Sequence, residues 1–443
     1  MKVGFISLGC AKNQVDTEVM MAALKSAGHR IVNSVEQAEA VVVNTCGFIE
    51  PAREEAIDTL LETSQQRDKG RLKYLIATGC LSQLHGEELL REMPELDAVV
   101  GVSSFRDIAD VLERVSQGER VSRLGPLPVQ YPEEAPRLLS TPAGYAYLRV
   151  TEGCNNRCAY CTIPTIRGNL RSRPVEDIER EARQLVARGI KELVLVAQDT
   201  SAYGTDLYGA PRLAPLLEQL GRVEELEWIR LMYLHPAHIT PELIEMISRP
   251  GIVIPYLDIP IQHSSAAVLQ KMKRGYGSQE LSSLIAQLRK AIPGLVLRTT
   301  VMVGFPGETR ADHDELAAFV HETEFDWLGC FTFIPEPGTA AAAMSGQVPE
   351  EVKEERRNAI MRMQQRITRH KNISRLDQQE KVLISSRVNK DIYLGRTYFQ
   401  APEVDGVTLV KSSHHLEPGR FYPVDLKAVK HYDMIGEVHE FAQ

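Results

Sequence analysis

The chain has no run approaching the ~20 consecutive apolar residues of a membrane-spanning helix. Ser7-Leu8-Gly9-Cys10 has the outline of a lipoprotein cleavage site, yet the apolar stretch ahead of it, Val3–Leu8, is too short for a signal-peptide core. Positive charge is not in excess either: 51 Lys and Arg stand against 59 Asp and Glu, a net −8. Such a total does not advertise nucleic-acid binding and accommodates a basic or protein-shaped partner more easily. Cysteine is scarce, seven in 443 residues, and six of the seven fall into two groups of three. That grouping fits cluster ligation in a reducing compartment better than disulfides. A cytoplasmic protein without membrane association is expected. Its 43% hydrophobic and 25% charged residues are those of an ordinary globular chain. Its length suits roughly two to four domains with separate cores.

The denser group is Cys154, Cys158 and Cys161, a C-x-x-x-C-x-x-C array just after the apolar run Tyr145–Val150. A structural zinc site usually takes four ligands in C-x-x-C pairs, and no fourth Cys or His lies nearby. Three thiolates can instead hold three irons of a 4Fe-4S cube and leave the fourth iron open to a cofactor. Structural zinc and an inert thiol loop are the alternatives. The array, with Tyr160 ahead of its last cysteine, resembles the radical S-adenosylmethionine (SAM) enzymes. The resemblance implies that reduced iron–sulfur gives SAM one electron, that its carbon–sulfur bond breaks, and that a deoxyadenosyl radical abstracts an unactivated hydrogen. The cofactor does the difficult chemistry, and the protein excludes water and aligns the target carbon.

The other three cysteines are spread out. Val3–Leu8, Ala40–Thr45 and Lys73–Thr78 read as buried strands, followed by Gly9-Cys10, Cys46-Gly47 and Gly79-Cys80. Helices are expected at about Asp16–Ala27, Pro51–Gln66 and Gln83–Glu92, with Asp97–Val100 and a Ser103–Val115 helix completing the set. Strands alternating with helices imply a parallel sheet, whose ligands bind beyond the carboxyl ends of the strands. Cys10, Cys46 and Cys80 should therefore meet at one edge as a second three-thiolate site. Three separately packed small residues would be the alternative. Ser7–Asn13, Val43–Ile49 and Ala77–Cys80 resemble the N-terminal domain of the methylthiotransferases, in which a second cluster handles the sulfur that enters the product. Lys12 is either a tuning charge for that cluster or a solvated side chain.

Pro126, Pro128, Pro132 and Pro136 mark residues 121–142 as a linker between an N-terminal domain, 1–120, and a central domain, 143–370. The central domain carries six apolar runs: Tyr145–Val150, Glu192–Ala197, Trp228–Tyr233, Ile254–Ile259, Leu295–Val303 and Trp327–Ile334. Six strand–helix units are too few for a closed eightfold barrel, so a partial (βα)6 barrel is expected, as the radical SAM resemblance also implies. Site groups in such barrels lie at the strands' carboxyl ends. By resemblance, Gln198, Asp199, Gln262, His263, Gly304 and Glu308 lie around SAM. The forks of Arg167, Arg171 and Arg173 suit its carboxylate or the substrate, surface ion pairs being the alternative, with Arg173 carried as the cofactor contact. His263 and His235 are otherwise loop or capping histidines. Cys330 is expected to be packed within a strand. A charged amphipathic helix, Glu351–Lys371, leads out of the domain.

In residues 371–443, Glu380–Arg387, Ile392–Gln400, Val407–Lys411, Phe421–Val429 and Ile435–Glu440 read as five short strands of a small antiparallel barrel. The region resembles the TRAM domain. From Leu376 onward it carries 8 Lys and Arg against 10 Asp and Glu, a balance of −2, whereas an RNA-contacting barrel usually shows a basic face and exposed aromatics. Two branches of the methylthiotransferases are relevant. One acts on an adenosine of transfer RNA, the other on an aspartate β-carbon of small-subunit ribosomal protein twelve. The mild acidity favours a basic protein. Cys10–Asn13, Gln198–Thr200 with Tyr203–Leu207, and Ala401–Gly406 resemble the ribosomal-protein branch, whereas Phe333–Thr339 departs from its more acidic string. The resemblance implies two 4Fe-4S clusters, SAM, an electron donor, a sulfur source, and ribosomal protein twelve, free or in the subunit, as substrate. Transfer RNA is the alternative substrate, and a non-catalytic iron–sulfur or RNA-binding scaffold is a third reading.

Overall fold

The computed structural model describes residues 1–131 and 135–439, so Pro132 of the expected linker and Glu440 of the last expected strand lie outside the described residues. The chain divides into two compact units. One comprises Met1–Ser140, Thr151–Ser172 and Glu336–Ala342; the other comprises Thr141–Val150, Arg173–Pro335 and Ala343–Gln443.

The first unit is built on a parallel six-stranded sheet ordered β2-β1-β3-β4-β5-β6. Its strands are β1 Lys2–Ser7, β2 Arg30–Val32, β3 Ala40–Thr45, β4 Tyr74–Gly79, β5 Ala98–Val100 and β6 Val121–Arg123. Four of them match expected runs. β2 and β6 are the two edge strands, largely unburied and mixed with polar residues, so they show no apolar run, whereas the equally short β5 is wholly buried; β6 also occupies part of the presumed linker. The linker's far end is pinned as well, since Arg137 Nη2 and Ser140 N donate to the buried Glu18 carboxylate at 2.7 and 2.8 Å. Central β3 is buried at all six positions. Its Ala40 and Val42 join one apolar cluster and its Val41 and Val43 the other, so both faces of the sheet are covered. Helices α1 Ala11–Ser26, α2 Glu50–Ser64, α3 Cys80–Glu92 and α4 Ile108–Ser116 supply that cover. α1 and α3 start earlier than expected, directly at the cysteines. No Ser, Thr, Asp or Asn cap signals either start, and an extended Cys10 (φ −110°, ψ 170°) does the capping of α1 instead.

In the second unit all six expected runs form strands of one parallel sheet: Tyr145–Arg149, Glu192–Val196, Trp228–Leu231, Val253–Asp258, Val296–Val303 and Trp327–Thr332, each beside the next in sequence. The helix Glu350–Ile373 packs on the last of them. Gln379–Arg387, Ile392–Arg396, Thr408–Lys411, Phe421–Lys430 and Asp433–Val438 close into a five-stranded barrel. One of its pairings, Thr408–Lys411 with Asp433–Val438, is parallel rather than antiparallel. The second barrel strand stops before the expected Gln400, because Gln400 Oε1 accepts from Thr397 N and from Thr408 Oγ1 and turns the chain. Among the described residues no helix is long and apolar enough to cross a membrane.

Buried polar groups join this barrel to this sheet. Glu192 accepts from Arg230 Nε and Arg396 Nη2, both at 2.7 Å, and all three side chains are buried. Asp405 Oδ2 accepts from Tyr256 Oη at 2.6 Å and from Ala401 N at 2.8 Å, so the Ala401–Gly406 string is structural cement. Burial raises the Glu192 carboxyl, but Arg396 and Arg230 outweigh it and its pKa lies below the ordinary value. Arg396→Ala should cost about 3–5 kcal/mol, read as a lower urea midpoint at neutral pH. Because Glu192 is depressed, that contribution is whole above the usual carboxylate pKa and is lost as acid titrates Glu192 through its lower folded value. The penalty should therefore shrink as pH falls below about 4.

Candidate metal and cofactor site

Cys10 is the N-cap of α1, Cys46 follows β3 just ahead of α2, and Cys80 is the first residue of α3. Cys10 and Cys80 thus stand at helix N-termini, whose unsatisfied N–H groups and dipoles favour thiolate, while Cys46 lies in the turn ahead of the α2 N-cap Ile49. Gly79 makes the last turn possible. At φ +99° it adopts a conformation that side chains avoid, and a Cβ there would lie 2.3 Å from Asn44 Oδ1 and 2.5 Å from Thr45 O.

A cation and an amide tie these turns together. Arg167, at the end of α5 (Ile163–Arg167), has Nη2 2.7 Å from Asn13 Oδ1, 3.1 Å from Asp16 Oδ2 and 3.5 Å from Cys80 Sγ. Its Nη1 is 3.1 Å from both oxygens of Glu152. Cys10 is exposed. The surrounding protein raises its thiol, but Lys12, Arg167 and nearby backbone N–H groups more than offset that and lower its pKa. Burial dominates at Cys80, pushed up to about 11, and raises Cys46 as well. Lys12 is buried rather than solvated.

Cys154, Cys158 and Cys161 belong to the same unit. Their loop is pinched at its base where Thr151–Glu152 pairs antiparallel with Arg171–Ser172. Inside it, Cys154 N donates to Gly168 O and Cys161 N to Cys158 O, both at 3.1 Å. Tyr160 lies within this turn and is half-buried. Glu336, in the string that departs from expectation, is also in this unit; it accepts from Glu50 N at 2.7 Å and pairs with Arg53, capping α2. None of the seven cysteines is in a disulfide. A single zinc would hold its sulfurs about 3.8 Å apart. Among the described residues the one trio of ligating groups within 4.8 Å of one another is Asp199, His235 and His238, so neither cysteine set has single-ion spacing. Three free cysteines in each set fit 4Fe-4S clusters.

In the second unit the predicted SAM residues sit where sheet strands exit. His263 is fully buried, with Nδ1 accepting from Ser265 N at 2.9 Å. Its Nε2 has no hydrogen bond and lies 4.0 Å from Glu308 Oε2, and Ser264 Oγ is likewise unsatisfied. Burial lowers His263 to about 4, so its ring is neutral. Glu308 accepts from Phe305 N and Arg356 Nη1, and its pKa is raised, burial being the main cause. Gln262 holds a left-handed backbone (φ 68°) and bridges to Val301. Gly304 leaves room for the stem of Lys353, since a Cβ there would be 2.2 Å from Lys353 Cγ. Unsatisfied buried polar atoms beside strand ends suit a polar cofactor.

Asp199 and Arg173 are otherwise engaged. Asp199 accepts from Ser201 Oγ and Ala202 N and pairs with His238 Nδ1 at 2.7 Å; burial opposes its ionisation, but His238 holds its pKa down near 2. Gln198 directly precedes it at the end of the Glu192–Val196 strand. Arg173 forks onto Asp177 and Glu181 and donates to Arg149 O at 2.8 Å. His235 accepts from Ala237 N as a capping histidine, and Cys330 is buried, its thiol pushed up to about 12 by burial. Sequence reasoning missed Asn13, Asp16 and Glu152 as partners of Arg167; only the folded chain brings them together.

Residues 148–320 match the radical SAM superfamily, residues 2–101 the family described as uncharacterized protein family UPF0004, and residues 378–438 the TRAM domain. Solved radical SAM enzymes share the fold. The methyltransferase TsrM from Kitasatospora setae aligns with a TM-score of 0.55 at 15% identity over 75% of this chain and 72% of that one. The cobalamin-dependent enzyme OxsB aligns at 0.53 and 14% over 82% and 56%. The class is therefore radical SAM enzyme. A ribosomal protein uS12 methylthiotransferase RimO from Syntrophomonas wolfei subsp. wolfei is 56% identical over 437 residues, covering 99% of this chain and 100% of the relative. Another from Clostridioides difficile is 43% identical, covering 99% of each. The chain belongs to the uS12 methylthiotransferase family.

Gly79→Ala should strain the turn by about 1–3 kcal/mol before any clash is counted. It should lower the melting temperature and reduce bound iron after anaerobic reconstitution, measured against the parent chain.

Proposed function

We propose that this chain transfers a methylthio group to the β-carbon of an aspartate in uS12, small-subunit ribosomal protein twelve. Carrying the reading is the pairing of two three-cysteine sets with full-length relatives that bear the uS12 methylthiotransferase name. Cys154, Cys158 and Cys161 hold the cluster that serves SAM, and Cys10, Cys46 and Cys80 hold the auxiliary cluster. When bound, the clusters and SAM supply one-electron carbon–sulfur cleavage, a methyl group and the sulfur to be transferred.

The chain's own residues bind, orient and exclude water. Gln198, Gln262, His263, Gly304 and Glu308 line the strand ends for SAM, with the neutral His263 ring and Ser264 Oγ as its polar contacts. Tyr160 flanks the last cluster cysteine. Asp199 and Arg173 hold the shape of their loops. The functional division stays 1–120 for the auxiliary cluster, 121–142 as connection, 143–370 for radical chemistry and 371–443 for substrate. The mildly acidic last domain suits basic uS12, whether free or assembled. An electron donor and a sulfur source of the reducing cytoplasm complete the reaction.

Mass spectrometry decides the substrate. Anaerobically reconstituted chain with SAM, sulfide and a reductant should add a methylthio increment to a uS12 aspartate and leave transfer RNA unchanged; an increment on adenosine would reassign the substrate. Cys154→Ala should reduce deoxyadenosine release to background. Cys10→Ala should keep that release and lose the methylthio product.

A further inference from the structure

We propose that Arg167 and Asn13 form a positioning hub through which the loop of Cys154, Cys158 and Cys161 holds the other three cysteines in place for their cluster. The proposal rests on the reading that Cys10, Cys46 and Cys80 carry the auxiliary cluster. Arg167 lies six residues after Cys161, yet the residue is 2% exposed and its guanidinium sits among the N-terminal cysteine turns. Its Nη2 reaches Cys80 Sγ directly, at 3.5 Å, and Asn13 Oδ1 at 2.7 Å. Asn13, 1% exposed, then donates Nδ2 to Leu8 O at 3.0 Å and to Thr45 O at 3.1 Å. Leu8 stands two residues before Cys10, and Thr45 immediately before Cys46. One guanidinium and one amide thus touch all three cysteine-bearing turns. Asn44 supports the amide from behind, donating Nδ2 to Asn13 O at 2.7 Å and to Thr17 Oγ1 at 3.0 Å.

Charge explains why the hub is an arginine. Asp16 and Glu152 already crowd the site with carboxylates, and bound thiolates add more negative charge. A buried cation must offset them, because uncompensated charge away from water is costly. Only a planar fork can face Glu152 with one nitrogen while the other serves Asn13, Asp16 and Cys80; the ammonium of lysine is a single point.

The test uses the full chain with Cys154, Cys158 and Cys161 all replaced by Ala, so that about four irons remain, at the auxiliary site alone. Failure of that background to take up iron would overturn the auxiliary-cluster assignment and the hub with it. If it loads, Arg167→Gln and Asn13→Ala should each speed iron release to a chelator on the order of tenfold, as expected for losing hydrogen bonds to a charged group. Arg167→Gln should also move the cluster's reduction potential to more negative values, since a nearby positive charge is gone. Arg167→Lys should restore the potential but not the retention of iron. Should Arg167→Gln not fold, as judged by circular dichroism of the iron-free chain, Arg167→Lys and Asn13→Ala carry the release test. Unchanged release and potential in the folded variants would overturn the proposal.

Discussion

A parallel strand must leave its sheet at the same edge as its neighbours, and the placement of the spread-out cysteines and of the strand-exit residues depends on that constraint. In the first unit it delivers Cys10, Cys46 and Cys80 to the starts of three helices. In the second it lines up Gln198, Gln262, His263 and Gly304 at the exits of the second, fourth and fifth strands. Residues far apart in sequence become neighbours because hydrogen-bonded register leaves them no other place to go. The cofactors then supply reactivity that no side chain has, and the protein's part reduces to placement, charge and dryness.

Placement rests on buried polar groups with complete partner sets. Arg167 lies between two carboxylates, an amide and a thiol, and Glu192 between two arginines. Removing one member of such a set strands the others without water, so these groups specify geometry more than they add stability. The same logic accounts for Glu336, whose carboxylate satisfies the N-terminus of α2 and Arg53 together. Its string departs from the expected acidic one, and its carboxylate has a structural duty within the first unit.

Much of this was legible in the linear chain. Apolar runs separated by helical patterns located all six strands of the second unit's sheet, because parallel strands buried on both faces read as continuous hydrophobic stretches. Cysteine spacing singled out both three-cysteine sets, since cluster ligation needs thiols in numbers and positions that packing does not. The edge strands β2 and β6 escaped, being little buried and broken by polar residues, and so did the early starts of α1 and α3, which lack ordinary capping residues. The barrel's parallel pairing was hidden too, because pairing direction is a property of two strands together.

The sequence by itself therefore determined the element order, the cysteine sets and the chemistry they can support, all of which are written in local pattern and residue type. Tertiary structure alone decided which charges answer which. Arg167, Arg171 and Arg173 look alike within seven residues of chain. The fold sends the first to Asn13, Asp16 and Cys80, turns the second back onto Arg167 O and Asn169 O, and commits the third to Asp177 and Glu181. A guanidinium takes whatever acceptors surround it once water is excluded, and those surroundings are assembled from segments that no local reading can see.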